Sequence, residues 1–83
     1  MKIKIKLYAS LQDYLPAGAK DQAADIDVPD AATPSRVMLQ LGLPKEMCHL
    51  VILNGVYVAP EARDTQAMED GDTLAIWPPV AGG

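Results

Sequence analysis

The chain has 83 residues, 49% of them hydrophobic and 22% charged, a balance that fits one small globular domain and excludes disorder and a coiled coil. A chain of this size buries only about 60% of the surface it exposes when unfolded. The single cysteine, Cys48, excludes an internal disulfide, a thiol-built metal site and a redox pair, and a net charge of −4 argues against nucleic acid as the principal partner.

The opening Lys2-Ile3-Lys4-Ile5-Lys6-Leu7 alternates without a slip. It predicts a strand with Ile3, Ile5 and Leu7 on a buried face and three lysines on the other. From Ala9 to Leu15 the period changes: Tyr8, Leu11, Tyr14 and Leu15 recur at helical spacing, with Ser10 as a cap and Pro16 and Gly18 as the stop. One or two helical turns are expected there. Ala24, Ile26 and Val28 alternate with Asp25 and Asp27 until Pro29, a second strand paired with the first. The lysines of strand one and Asp21, Asp25, Asp27 and Asp30 then predict a solvated face with opposite charges across the strands.

Thr33-Pro34 reads as an N-cap followed by the first helical residue, since a proline there loses no hydrogen bond. The helix runs to about Leu41 with Val37, Met38 and Leu41 on one face. Gly42 supplies a left-handed end and Pro44 prevents continuation. Lys45 to Cys48 is a turn. His49 to Val58 is a hairpin closed by Asn54-Gly55, a pair that tolerates two positive φ angles. Ala59 to Glu69 is polar and aperiodic, a surface loop with one helical turn. Asp70-Gly71-Asp72 makes a tight turn into a last strand, Thr73 to Trp77, apolar enough for an interior position and able to pair in parallel with the first. The order β, short α, β, α, β, β, loop, β describes an α+β domain with a mixed sheet over one main helix.

Runs of hydrophobic residues such as Leu50 to Leu53 fall far short of the roughly 20 residues of a membrane span, and the N-terminus lacks a signal-peptide core. The expectation is a cytoplasmic protein with no membrane partner. Beyond the last strand, Pro78-Pro79 cannot extend a ladder and favour an extended conformation. Gly82-Gly83 carry no Cβ, so the segment can thread a narrow channel and present its α-carboxylate to another protein's catalytic groups. The expected division is therefore a body, 1–77, and a flexible functional tail, 78–83.

The strand into Leu7-Tyr8-Ala9-Ser10-Leu11, the Asn54-Gly55 turn, Asp70-Gly71-Asp72 and above all Trp77-Pro78-Pro79-Val80-Ala81-Gly82-Gly83 resemble the ubiquitin-like sulfur carriers of the MoaD/ThiS type. The aromatic residue, double proline and terminal Gly-Gly look most like the small subunit of molybdopterin synthase. The resemblance implies a ubiquitin-like β-grasp fold of about five strands with a protruding tail. It implies a sulfur carrier that is not itself an enzyme and binds no cofactor. An E1-like adenylyltransferase, using ATP, would adenylate the Gly83 carboxylate. A persulfide donor would then convert it to a thiocarboxylate, a 1-thioglycine, and the thiocarboxylate would give its sulfur to a pterin precursor in the synthase's large subunit. Trp77, Pro78, Pro79, Val80, Ala81 and Gly82 would bind the partners. The same tail also suits a carrier for thiazole or another sulfur metabolite, or a modifier joined to lysines through Gly83.

The chain has no phosphate-binding glycine loop with its lysine and no recognisable acid/base pair, so activation is expected in trans. Cys48 and His49 are read as structural. For an apolar patch at the base of the tail the candidates are Trp77, Val80, Leu53 and Met68, with Leu53 and Met68 placed first in the core.

Overall fold

The computed structural model describes residues 1–80. Five strands, β1 (Lys2–Leu7), β2 (Ala23–Asp27), β3 (Leu50–Leu53), β4 (Val56–Tyr57) and β5 (Thr73–Trp77), form one sheet in the order β2-β1-β5-β3-β4. The central pair β1 and β5 is parallel, and the other three pairings are antiparallel. With one α-helix, α1 (Pro34–Leu41), and three short 3₁₀ turns, this is the ubiquitin-like β-grasp.

The register explains why one face of the sheet becomes the core. Ile5 lies beside Ala24 on one side and Leu74 on the other, and Leu7 lies beside Ile76, which faces Val51. Because side chains alternate along each strand, these residues all project to one side. Ile3, Ile5, Leu7, Val51, Leu74 and Ile76 are fully buried there with Val37 and Met38 of α1. The other face carries the lysines. Lys2 lies opposite Asp27, with Nζ 3.5 Å from the carboxylate, and Lys4 lies opposite Asp25, as the alternation predicted.

An eight-residue helix has little stability alone, and α1 is held at both ends. The Thr33 side chain accepts from the Arg36 N–H at 3.3 Å, and Pro34 occupies the first turn. At the other end Gly42 takes φ 72°, its N–H reaches Leu39, and the Leu43 N–H donates to the Met38 carbonyl at 2.9 Å. Leu43 and Met38 are both buried, the apolar contact that accompanies this kind of C-terminal motif.

Two local expectations are corrected. The first helical segment is a 3₁₀ turn, Ala9–Tyr14, without a side-chain cap, so Ser10 does not cap it. Ala9 instead takes φ 52° to turn the chain out of β1. The stretch from Ala59 to Glu69 is not only a surface loop, because Arg63 and Met68 are buried within it. Its backbone is tied to the helix entry, with Ser35 N–H donating to Arg63 and Met68 N–H to Ala32, both at 2.9 Å. Among the described residues no helix is long and apolar enough to cross a membrane.

Candidate functional site

β5 is the central strand and delivers the chain to the tail. Its last residue, Trp77, accepts the His49 N–H on its carbonyl at 3.0 Å, while on the β1 side Tyr8 N–H donates to the Ile76 carbonyl at 3.2 Å. Pro78 and Pro79 have no N–H to continue either ladder. Pro78 is half-buried, Pro79 is exposed and Val80 is 78% exposed, so the chain is already leaving the body at the last described residue. Of the tail residues expected to bind partners, Trp77, Pro78, Pro79 and Val80 are placed. Ala81, Gly82 and the proposed reactive residue Gly83 lie outside the described residues.

The root of the tail is braced by an aromatic pair. Tyr8 follows Leu7 as Trp77 follows Ile76, so both rings fall on the lysine-bearing face. They stack there with centroids 4.3 Å apart and planes within 1°. Tyr8 was expected on the helical face with Leu11; the left-handed turn at Ala9 instead leaves it in the sheet's register.

Beside this stack the open face is apolar. Leu50 pairs with Trp77, Ile52 with Ala75 on one side and Tyr57 on the other. Leu50 is 36% exposed, Tyr57 is 53% exposed and Ile52 is half-buried. Tyr8, Trp77, Leu50, Ile52 and Tyr57 thus form a continuous aromatic and aliphatic surface running into Pro78, with Lys6 of β1 along its margin. Leu53 and Met68, two of the sequence candidates for such a patch, are buried in the core, the placement the sequence put first. The residues that take their place were legible in the alternation. In a strand with Val51 and Leu53 inward, Leu50 and Ile52 must face out, and the Asn54-Gly55 turn sets Tyr57 opposite Ile52.

Cys48 is buried, and its Sγ lies 3.5 Å from the Pro44 carbonyl. Burial pushes the thiol's pKa up; the nearby Arg63 guanidinium works against this and Glu46 adds to it. The thiolate needed for sulfur transfer is therefore disfavoured. Native chain is expected to resist alkylation at Cys48 near neutral pH and to react once unfolded, as read by mass labelling with iodoacetamide. A thiol pKa raised in the folded state contributes stability that is complete below its unfolded value and is lost as pH rises through the folded one. Above about pH 8.5 the wild type should therefore lose stability relative to Cys48→Ala, measured as the difference in their Tm between pH 7 and pH 10. His49 acts through its peptide group, whose N–H holds Trp77, while its side chain is exposed.

Among the described residues no group of three or more His, Cys, Asp or Glu side chains is placed to hold a metal ion. A cavity of about 240 Å³ lies at the other side of the fold, between α1 and the Pro60–Ala62 turn, lined by Met38, Leu39, Leu43 and Arg63 among others.

The profile of the Mut7-C ubiquitin family matches residues 1–82. A search of the curated proteins by sequence finds no match. Among solved structures, the HVO 2177 protein of Haloferax volcanii superposes with a TM-score of 0.76 at 27% identity, covering 100% of this chain and 87% of that one. SAMP1 of the same organism, a small archaeal modifier protein, gives 0.67 at 26% identity with 100% of both chains covered. In a complex of subunits 1 and 2 of the molybdopterin-converting factor from Helicobacter pylori, the matching chain gives 0.61 at 16% identity, again covering 100% of both. At that identity the likeness is one of fold.

Proposed function

The chain belongs to the Mut7-C ubiquitin family, and on that footing we propose that it is a ubiquitin-like carrier whose Gly83 carboxylate is activated by a partner and loaded with sulfur. The observation that carries this reading is the exit of the chain. The central strand makes its last backbone bond at Trp77, and two prolines without donors follow, then an exposed Val80, then Ala81-Gly82-Gly83. Residues 1–77 are the body that a partner grips and 78–83 the arm that enters its active site, in the cytoplasm and without a cofactor of the chain's own.

The chemistry follows from the carboxylate. It is a poor electrophile, and attack of its oxygen on the α-phosphorus of ATP in an E1-like adenylyltransferase, with pyrophosphate leaving, makes it a good one. The terminal sulfur of a donor persulfide then attacks the acyl carbon and AMP leaves. A second thiol of the donor breaks the resulting acyl disulfide, forming a disulfide on the donor and freeing the thiocarboxylate. This chain supplies the reacting group, and catalysis belongs to the partners. The open face of Leu50, Ile52, Tyr57 and Trp77 is where they dock, since aromatic and aliphatic side chains make up interface centres.

The acceptor we favour is a pterin precursor in molybdopterin synthesis. The Trp77-Pro78-Pro79 root supports it, as does the shared fold with a subunit of the Helicobacter factor, which forms a two-subunit complex. A second reading, attachment of Gly83 to lysines of other proteins, is favoured by the similarity to SAMP1. Incubation with an activating enzyme, ATP and a sulfur donor is expected to raise the chain's mass by the difference between sulfur and oxygen, located by fragmentation at Gly83. Sulfur found on Cys48 would refute the reading. Products of higher mass on a denaturing gel, in place of thiocarboxylate, would establish the modifier.

A further inference from the structure

Arg63 is 8% exposed and is the one charged side chain buried among the described residues. Its guanidinium donates to three backbone carbonyls: Nε to Val58 at 3.2 Å, Nη1 to Cys48 at 2.8 Å and Nη2 to His49 at 3.1 Å. Among the described residues no carboxylate lies within ion-pair distance of it. Taking a cation out of water is costly before its hydrogen bonds are counted, and an apolar side chain of similar volume often serves stability as well. What an apolar side chain cannot do is hold several carbonyls in the plane of one rigid fork.

Those carbonyls mark the two ends of the β3–β4 hairpin, Cys48 and His49 entering it and Val58 leaving it. The Cys48–His49 peptide connects them to the tail. Its carbonyl, that of Cys48, accepts from Arg63 Nη1 at 2.8 Å, and its N–H, that of His49, holds the Trp77 carbonyl. Arg63 is itself anchored, its carbonyl accepting the Ser35 N–H at the start of α1. Pro78 fixes its own φ and confines the residue before it to extended conformations. The orientation of the Trp77 carbonyl therefore aims everything that follows.

We propose that Arg63 is a positioning residue for the tail. Through the Cys48–His49 peptide its guanidinium sets the direction in which the chain leaves Trp77, and so where the terminal carboxylate arrives in a partner. The consequence for activity rests on the carrier reading; the geometric link does not. A tilt of a few degrees at the base moves the end of an extended arm by on the order of 1 Å, and a misplacement of that size costs about 100-fold in rate.

Arg63→Lys keeps the charge and much of the length and loses the fork. In the free chain its His49 amide is expected to exchange about tenfold faster than in the wild type, while the amide of Ile5 at the sheet centre stays within about threefold. Equal exchange at His49 overturns the link. In ATP–pyrophosphate exchange with the activating enzyme, kcat should fall about tenfold with KM within about twofold, because the docking face is untouched. Arg63→Gln, which retains one donor group without the charge, should show the same split if it folds. A rise in KM alone, or an unchanged kcat in a variant whose His49 amide is loosened, overturns the positioning role. A wild-type chain that is not adenylated at all gives a different result and overturns the carrier reading instead.

Discussion

Removing Gly82 and Gly83 is expected to abolish sulfur loading and transfer while changing folding stability by no more than about 0.5 kcal/mol. The described core lies entirely within the body, and among the described residues the last backbone bonds on both sides of β5 are those at Ile76 and Trp77. The deletion therefore takes away the reacting carboxylate and leaves the sheet, the helix and the Tyr8–Trp77 stack as they were. Thermal unfolding and a thiocarboxylate assay on the same preparation test both halves together. A clear drop in Tm would show that the end of the chain packs on the body, and retained transfer would place the sulfur elsewhere. Gly82→Ala is the finer version. One methyl group added beside the reacting carboxylate should leave stability unchanged and lower the rate by up to about 100-fold, if the partner's channel is shaped around bare backbone.

Leu50→Glu should weaken binding to the activating enzyme by about 30-fold, or about 2 kcal/mol, the loss typical of an interface anchor. Leu50 lies beside Trp77 on the open face and is 36% exposed. A carboxylate there keeps contact with water in the free chain but must be desolvated among aromatic rings in a complex. The cost to the free fold should stay near or below 1 kcal/mol. Val56→Glu is the control. Val56 is on the same hairpin, is well exposed and pairs with Leu53, so it belongs to the opposite side of the sheet from Leu50. It should leave affinity unchanged. Titration calorimetry with both variants decides the matter, and equal affinities would remove the open face from the interaction.

Much of this fold can be read locally because its signals are local. The Lys-Ile alternation of β1, the Thr33-Pro34 start and Gly42 end of α1, the Asn54-Gly55 hairpin and the Asp70-Gly71-Asp72 turn each act over a few residues. The structure has each of them where the residues put it. The tail belongs to the same class, because Pro78-Pro79 and Gly82-Gly83 owe their properties to what their own backbones lack.

The open apolar face and the arginine clamp depend on residues far apart in the sequence. Tyr8 meets Trp77 only because β1 and β5 pair in parallel across nearly the whole chain. Leu53 is as apolar as Leu50, and what separates them is the register that pairs Leu53 with Leu74 and Leu50 with Trp77. A shift of one residue would exchange the two faces. Arg63 stands in a polar, aperiodic stretch where a charge usually means solvent. It is buried because the Cys48, His49 and Val58 carbonyls converge at one point once the hairpin and the loop are folded against each other. The sequence by itself determined the elements and suggested the chemistry proposed for the tail, since both arise from neighbouring residues. Only the tertiary structure decided which surface surrounds the tail's root and what aims it, since both are made by strands and loops that meet through space.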